Sequence, residues 1–320
     1  MPAIIALLRT SALLDIPNER SMHVIPMPRG GGVGVAVGAV SGLGASLLSG
    51  APFDPALSGV VPLASVGLGI VGLIDDRRGL PTYVRLIAQV SAGVIIAGSL
   101  STGSTISGPL LWCFAIVGVV WLAAYVNAFN FMDGINGISA MQSIACGGAL
   151  VVIGTLWNVA ALQVLGAGAI GASVGFLPYN FPSAKVYLGD AGSYFLGTWL
   201  SASALLGVAT GVPLDVMVAP FAVYLADTGV TIMKRRLRGE RLMSAHRSHT
   251  YQRIALAVDS HGRSAATVTT CSVACSVSVL WGSLNGTIGR AAGLAVATAV
   301  VSAYLAMPSL LEHRRKAVHT

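Results

Sequence analysis

Charge is what this sequence lacks. Only 10% of its 320 residues are Asp, Glu, Lys or Arg, against 54% hydrophobic, whereas soluble domains carry about 25% charged residues. A chain so poor in charge cannot clothe a water-facing surface, which excludes a soluble enzyme and places the chain in a bilayer. Cysteine is scarce too. Cys113, Cys146, Cys271 and Cys275 all fall in apolar runs without metal-ligand spacing, which argues against a disulfide framework or zinc site and makes them buried packing residues. No cleavable leader is expected, because Ile4 to Leu8 is a short apolar stretch followed by Arg9 with no small-residue cleavage site. Repeats, low-complexity segments and a soluble domain are also missing, so residues 1–320 read as a single integral membrane domain.

What is present is a series of apolar runs. A helix of about 17–25 apolar residues spans the hydrocarbon core, and ten runs fit: 33–49, 61–74, 84–100, 108–126, 137–156, 161–177, 191–208, 214–232, 264–284 and 291–306. The expected architecture is all-α, polytopic, with about ten transmembrane helices. Lys and Arg mark cytoplasmic segments, and Arg20, Arg29, Arg77, Arg78, Arg85, Lys185, the Lys234–Arg263 group and Arg314–Lys316 all fall on one side, with only Arg290 opposite. The cytoplasmic loops are then about 15–32, 75–83, 127–136, 178–190 and 233–263, with both chain ends cytoplasmic. The net charge of +7 follows the membrane in this way, which argues against a nucleic-acid partner. Asp54 and Asp215 alone among the acids lie outside, so chemistry is expected at the cytoplasmic face.

Five constellations stand out. Asp75-Asp76 ends a span in LIDDRRGLP, where two carboxylates face the negative end of a helix dipole and each other; the plain alternative is a solvated turn in which Arg77 and Arg78 supply the balancing charge. Asn127, Asn130, Asp133 and Asn136 in VNAFNFMDGINGIS recur every third residue, as on one broad helix face, with Gly134 and Gly137 permitting close approach. Asn and Asp oxygens suit a hard cation, though polar helix–helix contact is the structural alternative. In KVYLGDAGS, Asp190 precedes a span as an N-cap, a metal ligand, or both. KRRLRGERLMSAHRSHTYQR is rich in cations; His246, Arg247, His249 and Arg253 suit a pyrophosphate, and Lys234 to Arg238 suit anionic headgroups. PMPRGGGVGV lacks the Gly-Lys-Ser/Thr of a phosphate-binding Walker loop, leaving Arg29 as a phosphate contact or part of a flexible loop.

DIPNERSMHVIPMPRGGG, DDRRGLP, NAFNFMDGING, KVYLGDAGS and HRSHTYQR, in that order, resemble the polyprenyl-phosphate N-acetylhexosamine-1-phosphate transferases, glycosyl transferase family 4. The resemblance covers nearly the whole chain. HRSHTYQR, in place of three consecutive histidines, points to the bacterial O-antigen-initiating branch rather than to the phospho-MurNAc-pentapeptide transferases. It implies transfer of an N-acetylhexosamine 1-phosphate of GlcNAc, GalNAc, QuiNAc or FucNAc type from a UDP-sugar to undecaprenyl phosphate, with release of UMP, at the cytoplasmic face of the inner membrane. By resemblance, Asp75, Asp76, Asp133 and Asp190 are catalytic; Asn130 and Asp190 are ligands for Mg²⁺, with Mn²⁺ as substitute; and Arg85, Asn136, Asn180, Lys185, His246, Arg247, His249 and Arg253 bind substrate. A second copy of the chain is a candidate partner. Two departures stand out: Gly79 replaces a third acid of the family pattern, and only fourteen residues precede Asp15 where relatives carry a full spanning helix. The competing class is a secondary transporter, whose ion-path acids would lie near the midplane, often within internal repeats.

Overall fold

The computed structural model describes residues 1–10, 14–15, 27–54, 58–240 and 247–318. The DIPNER segment beyond Asp15, with Glu19 and Arg20, and His246 lie outside the described residues. A nine-residue helix α1 (Pro2–Thr10) is followed by a two-residue antiparallel pairing of Leu14–Asp15 with Met27–Pro28. The rest is helical: α2 (Gly32–Leu48), α3 (Val60–Arg78), α4 (Thr82–Thr102), α5 (Pro109–Met132), α6 (Ile138–Leu156), α7 (Ala160–Asn180), α8 (Gly189–Ala209), α9 (Leu214–Val218), a 3-10 turn, α10 (Ala222–Leu237), α11 (Thr250–Val258), α12 (His261–Leu284) and α13 (Gly286–Val318).

All ten expected runs are helical, but the count of ten spans is not confirmed: among the described residues, seven helices are long and apolar enough to cross a membrane. The protein is a multi-pass membrane protein. Of the other three runs, α2 has only 17 residues, the α3 end carries Asp75, Asp76, Arg77 and Arg78, and α8 is diluted by Gly, Ser and Thr. Yet α8 is the centre of the bundle, with every residue except Asp190 and Val208 buried. Its hydroxyls donate within the helix, Thr198 to the Tyr194 carbonyl at 2.7 Å and Ser201 to that of Gly197 at 2.6 Å, so they need no water. Small residues let helices close up where lipid offers no hydrophobic drive. A Cβ at Gly72 of α3 would fall on the Asp190 carbonyl, and one at Gly32 of α2 on the backbone of Gly192. Both approaches bring neighbouring helix ends against the start of α8.

The segment 233–263, expected as one cytoplasmic loop, contains the end of α10, all of α11 and the start of α12. The cysteines are not uniformly buried: Cys113 is exposed on the outer face of α5 and Cys271 half-buried, while Cys146 and Cys275 are buried. Gly211 lies beside Thr105 at one end of the bundle, whereas Pro81 adjoins the Asp75 turn and Ser260 the His261–Asn136 contact at the other. In a Cys113→Ser background, single cysteines at Ser101 or Gly211 are therefore expected to react with a membrane-impermeant thiol reagent added outside, and those at Pro81 or Ser260 to stay unlabelled until the membrane is opened. The reverse pattern would overturn the orientation.

Candidate functional site

The Asp75-Asp76 pair sits where α3 is made to stop. Gly79 takes a left-handed conformation (φ 63°) and its N–H donates to the Asp75 carbonyl at 2.8 Å, after which Pro81 starts α4. Asp75 accepts from the Leu80 N–H at 2.7 Å and the Tyr194 hydroxyl at 2.9 Å, and meets Arg85 at 3.4 Å. Asp76 accepts from the backbone N–H groups of Asp190 (2.9 Å) and Ala191 (3.0 Å). It therefore caps α8 from another helix, where first-turn amides favour an anion. Asp190 is thus not the N-cap; Leu188 holds that position, and Asp190 stands in the first turn with its carboxylate turned aside.

That carboxylate accepts from the Asn130 amide at 2.8 Å and from Arg29 at 3.0 Å, and Asn130 also donates to the Ser193 hydroxyl at 2.9 Å. The Arg29 guanidinium bridges Asp190 and Asp76, at 2.8 Å from Asp76. Its position comes from the glycine run, whose Gly30 and Gly31 N–H groups donate to the Tyr187 carbonyl and whose Gly32 N–H donates to that of Leu188. PRGGG is therefore docked rather than loose. Arg29 and Arg85 balance the acidic pair; Arg77 and Arg78 are exposed.

The Asn/Asp series does not lie on one continuous helix face, because α5 ends at Met132 and Asp133 is its C-cap. Asn127 turns away and donates to Gln89 of α4 at 2.6 Å, the structural contact considered above. Asp133 accepts from the Ser139 hydroxyl, and its burial pushes its carboxyl up to about 7 against that hydrogen bond. Asn136 donates to the Pro182 carbonyl at 3.1 Å. Asn180, buried, accepts from the Gly137 N–H at 2.7 Å and donates to the Val186 carbonyl at 3.0 Å, stapling two loops.

The cationic loop divides. Lys185 and Arg247 are exposed. His249 is buried as the N-cap of α11 in a capping box with Gln252, its Nδ1 3.2 Å from Asp227. Arg253 spends its fork on Glu312 at 3.0 and 2.9 Å. In this arrangement His249 Nδ1 is turned to Asp227, and Arg253 Nε and Nη2 are engaged by Glu312. Arg29, considered from the sequence as a phosphate contact or part of a flexible loop, here meets two carboxylates instead; Tyr194, Ser193 and Ser139 are site residues that the sequence pattern does not single out.

Beside the acidic cluster an apolar groove of about 360 Å³ is lined by Val33, Ala36, Val37, Ile70, Leu73 and Phe195, and it reaches Ala191. The acids thus gather where α3 ends and α8 begins, beside an apolar groove. Residues 59–208, which contain Asp75, Asp76, Asn130, Asp133 and Asp190, match the family model of glycosyl transferase family 4. A Bacillus subtilis protein named probable undecaprenyl-phosphate N-acetylglucosaminyl 1-phosphate transferase is 27% identical over 277 residues, covering 83% of this chain and 76% of that protein. A Mycolicibacterium smegmatis decaprenyl-phosphate N-acetylglucosaminephosphotransferase is 29% identical over 285 residues, covering 77% and 70%. A Thermobifida fusca phospho-N-acetylmuramoyl-pentapeptide-transferase is 30% identical over 259 residues, covering 67% and 73%. The motifs, the family model and a relative matched over most of its length agree, and the chain belongs to glycosyl transferase family 4, the polyprenyl-phosphate N-acetylhexosamine-1-phosphate transferases.

Proposed function

We propose that the protein transfers an N-acetylhexosamine 1-phosphate from a UDP-sugar to undecaprenyl phosphate at the cytoplasmic face of the bacterial inner membrane, releasing UMP and initiating O-antigen or another cell-envelope polysaccharide. The observation that carries this reading is the Arg29 guanidinium held between Asp76 and Asp190 at the mouth of an apolar groove. Two carboxylates that converge on one cation supply hard oxygen donors of the kind a divalent ion takes. Mg²⁺ is held through one or two carboxylates together with substrate phosphates, and among the described residues no group of three His, Cys, Asp or Glu side chains forms a cage that would do without substrate. Asp190, Asp76 and the Asn130 amide oxygen would hold it, with Mn²⁺ as substitute. When bound, the ion neutralises charge on the pyrophosphate.

The chain's own residues supply position. A polyprenyl phosphate is largely dianionic at neutral pH, with a second pKa near 6, so it attacks the sugar-linked phosphorus without a strong base. One phosphoanhydride bond forms, one breaks, and the electron pair leaves with UMP. Asp75, fixed by Tyr194 and Leu80, orients the acceptor beside Arg85, while the groove takes the first isoprene units. Asp133 has a carboxyl suited to proton exchange near neutral pH. Lys185 and Arg247, both exposed, are assigned to the nucleotide phosphates, and Asn136 and Asn180 hold the loops between α5 and α6 and between α7 and α8. The sugar is GlcNAc, GalNAc, QuiNAc or FucNAc, which differ by single hydroxyls or their configuration. Incubating purified protein with undecaprenyl phosphate and each of these UDP-sugars, then weighing the lipid product, should give one diphosphate-linked sugar. No lipid product with any of them would refute the assignment.

A further inference from the structure

Asp227 of α10 is fully buried and lies outside the site described above. Its carboxylate accepts from the backbone N–H groups of Thr250 (2.9 Å) and Tyr251 (3.0 Å), from the hydroxyls of Tyr304 (2.6 Å) and Thr231 (3.3 Å), and it faces His249 Nδ1 at 3.2 Å. These are the open amides of the first turn of α11, plus a donor from α13. One carboxylate therefore clamps three elements. From α11 the contact continues toward the acidic cluster. The Tyr251 hydroxyl donates to the Phe131 carbonyl at 3.0 Å, its carbonyl accepts from Ser264 at 2.7 Å, and the hydroxyl fills the space that a Cβ at Gly134 would need. At the end of α5 Gly134 directly follows Asp133, and Phe131 lies between Asn130 and Met132, two residues before Asp133.

We propose that Asp227 is a positioning residue: by fixing α11 it seats Tyr251 against the Phe131–Gly134 turn, and so holds Asn130 and Asp133 in register with Asp190. That this turn works in phosphoryl transfer rests on the function proposed above; that Asp227 holds the turn does not. Asp227 is fully buried, so its loss should misplace groups during the chemical step rather than remove a binding contact.

The test uses the full-length protein in detergent, with Asp227→Asn, Tyr251→Phe and the double variant. Each single variant should lower kcat about 10-fold or more with KM changed less than about 3-fold, and the double variant should be little worse than either single one, because both break the same linkage. Hydrogen–deuterium exchange should speed up in the peptide covering 131–138 in all three. If Asp227→Asn does not fold, Tyr304→Phe, which removes one donor from the carboxylate, takes its place in the cycle. Wild-type kcat and exchange in Tyr251→Phe, or fully additive effects, would overturn the proposal. Should the wild-type protein show no transferase activity, the exchange measurement still decides whether Asp227 holds the turn, and only the functional reading falls.

Discussion

Asp190→Asn is expected to lower turnover at least about 100-fold, the scale seen when a pre-organised electrostatic group is removed, and to leave the thermal midpoint nearly unchanged. The change keeps the shape but takes away the charge that Arg29 and Asn130 converge on. Asp190 is half-buried and performs no capping, so the fold loses little. Asp76→Asn should lose as much activity and also stability. Both Asp76 oxygens accept α8 amides; an amide side chain offers one acceptor and turns its own N–H₂ toward the other donor. An unsatisfied buried donor costs ~1–3 kcal/mol, which should lower the midpoint by several degrees. Turnover and thermal denaturation measured on the same detergent preparations separate the two. Near-normal turnover in Asp190→Asn would remove it from the site, and an unchanged midpoint in Asp76→Asn would contradict its capping of α8.

Much of this arrangement is legible in the amino-acid sequence, for a physical reason. Lipid demands long apolar helices with internally satisfied backbones, so all ten runs appear in composition alone, and polar residues beside them are costly enough to mark Asp75, Asp76, Asn130, Asp133 and Asp190. Pairing across the sequence is what stays hidden. Asp76 caps a helix that starts 113 residues later, and the local pattern favours Asp190 because it sits next to the span. His249 and Arg253 look like phosphate ligands in a cationic loop, but their partners, Asp227 and Glu312, lie on other helices. Asn127 shares the triplet spacing of Asn130 yet bonds to Gln89 because α5 there packs on α4. The hydropathy rule fails most at α8: a helix surrounded by protein can carry serines and threonines that a lipid-facing helix would not, so the most buried helix is among the less apolar.

The identity of the leaving group separates this account from other reactions of the same donor. Attack on the anomeric carbon would release UDP, whereas attack on the sugar-bearing phosphorus releases UMP and leaves a diphosphate on the lipid. Because one phosphoanhydride replaces another, the equilibrium is nearly balanced and the reaction should run backwards. Labelled UMP added to enzyme, Mg²⁺, polyprenyl phosphate and the accepted UDP-sugar should carry label into the UDP-sugar pool. EDTA should abolish that exchange and excess Mg²⁺ restore it, since the cluster of Asp76, Asp190 and Asn130 lacks the ligands to hold the pyrophosphate's charge alone. Exchange of label that requires both polyprenyl phosphate and Mg²⁺ is the result predicted; release of UDP, or full exchange in EDTA, would contradict the proposed reaction and its metal together.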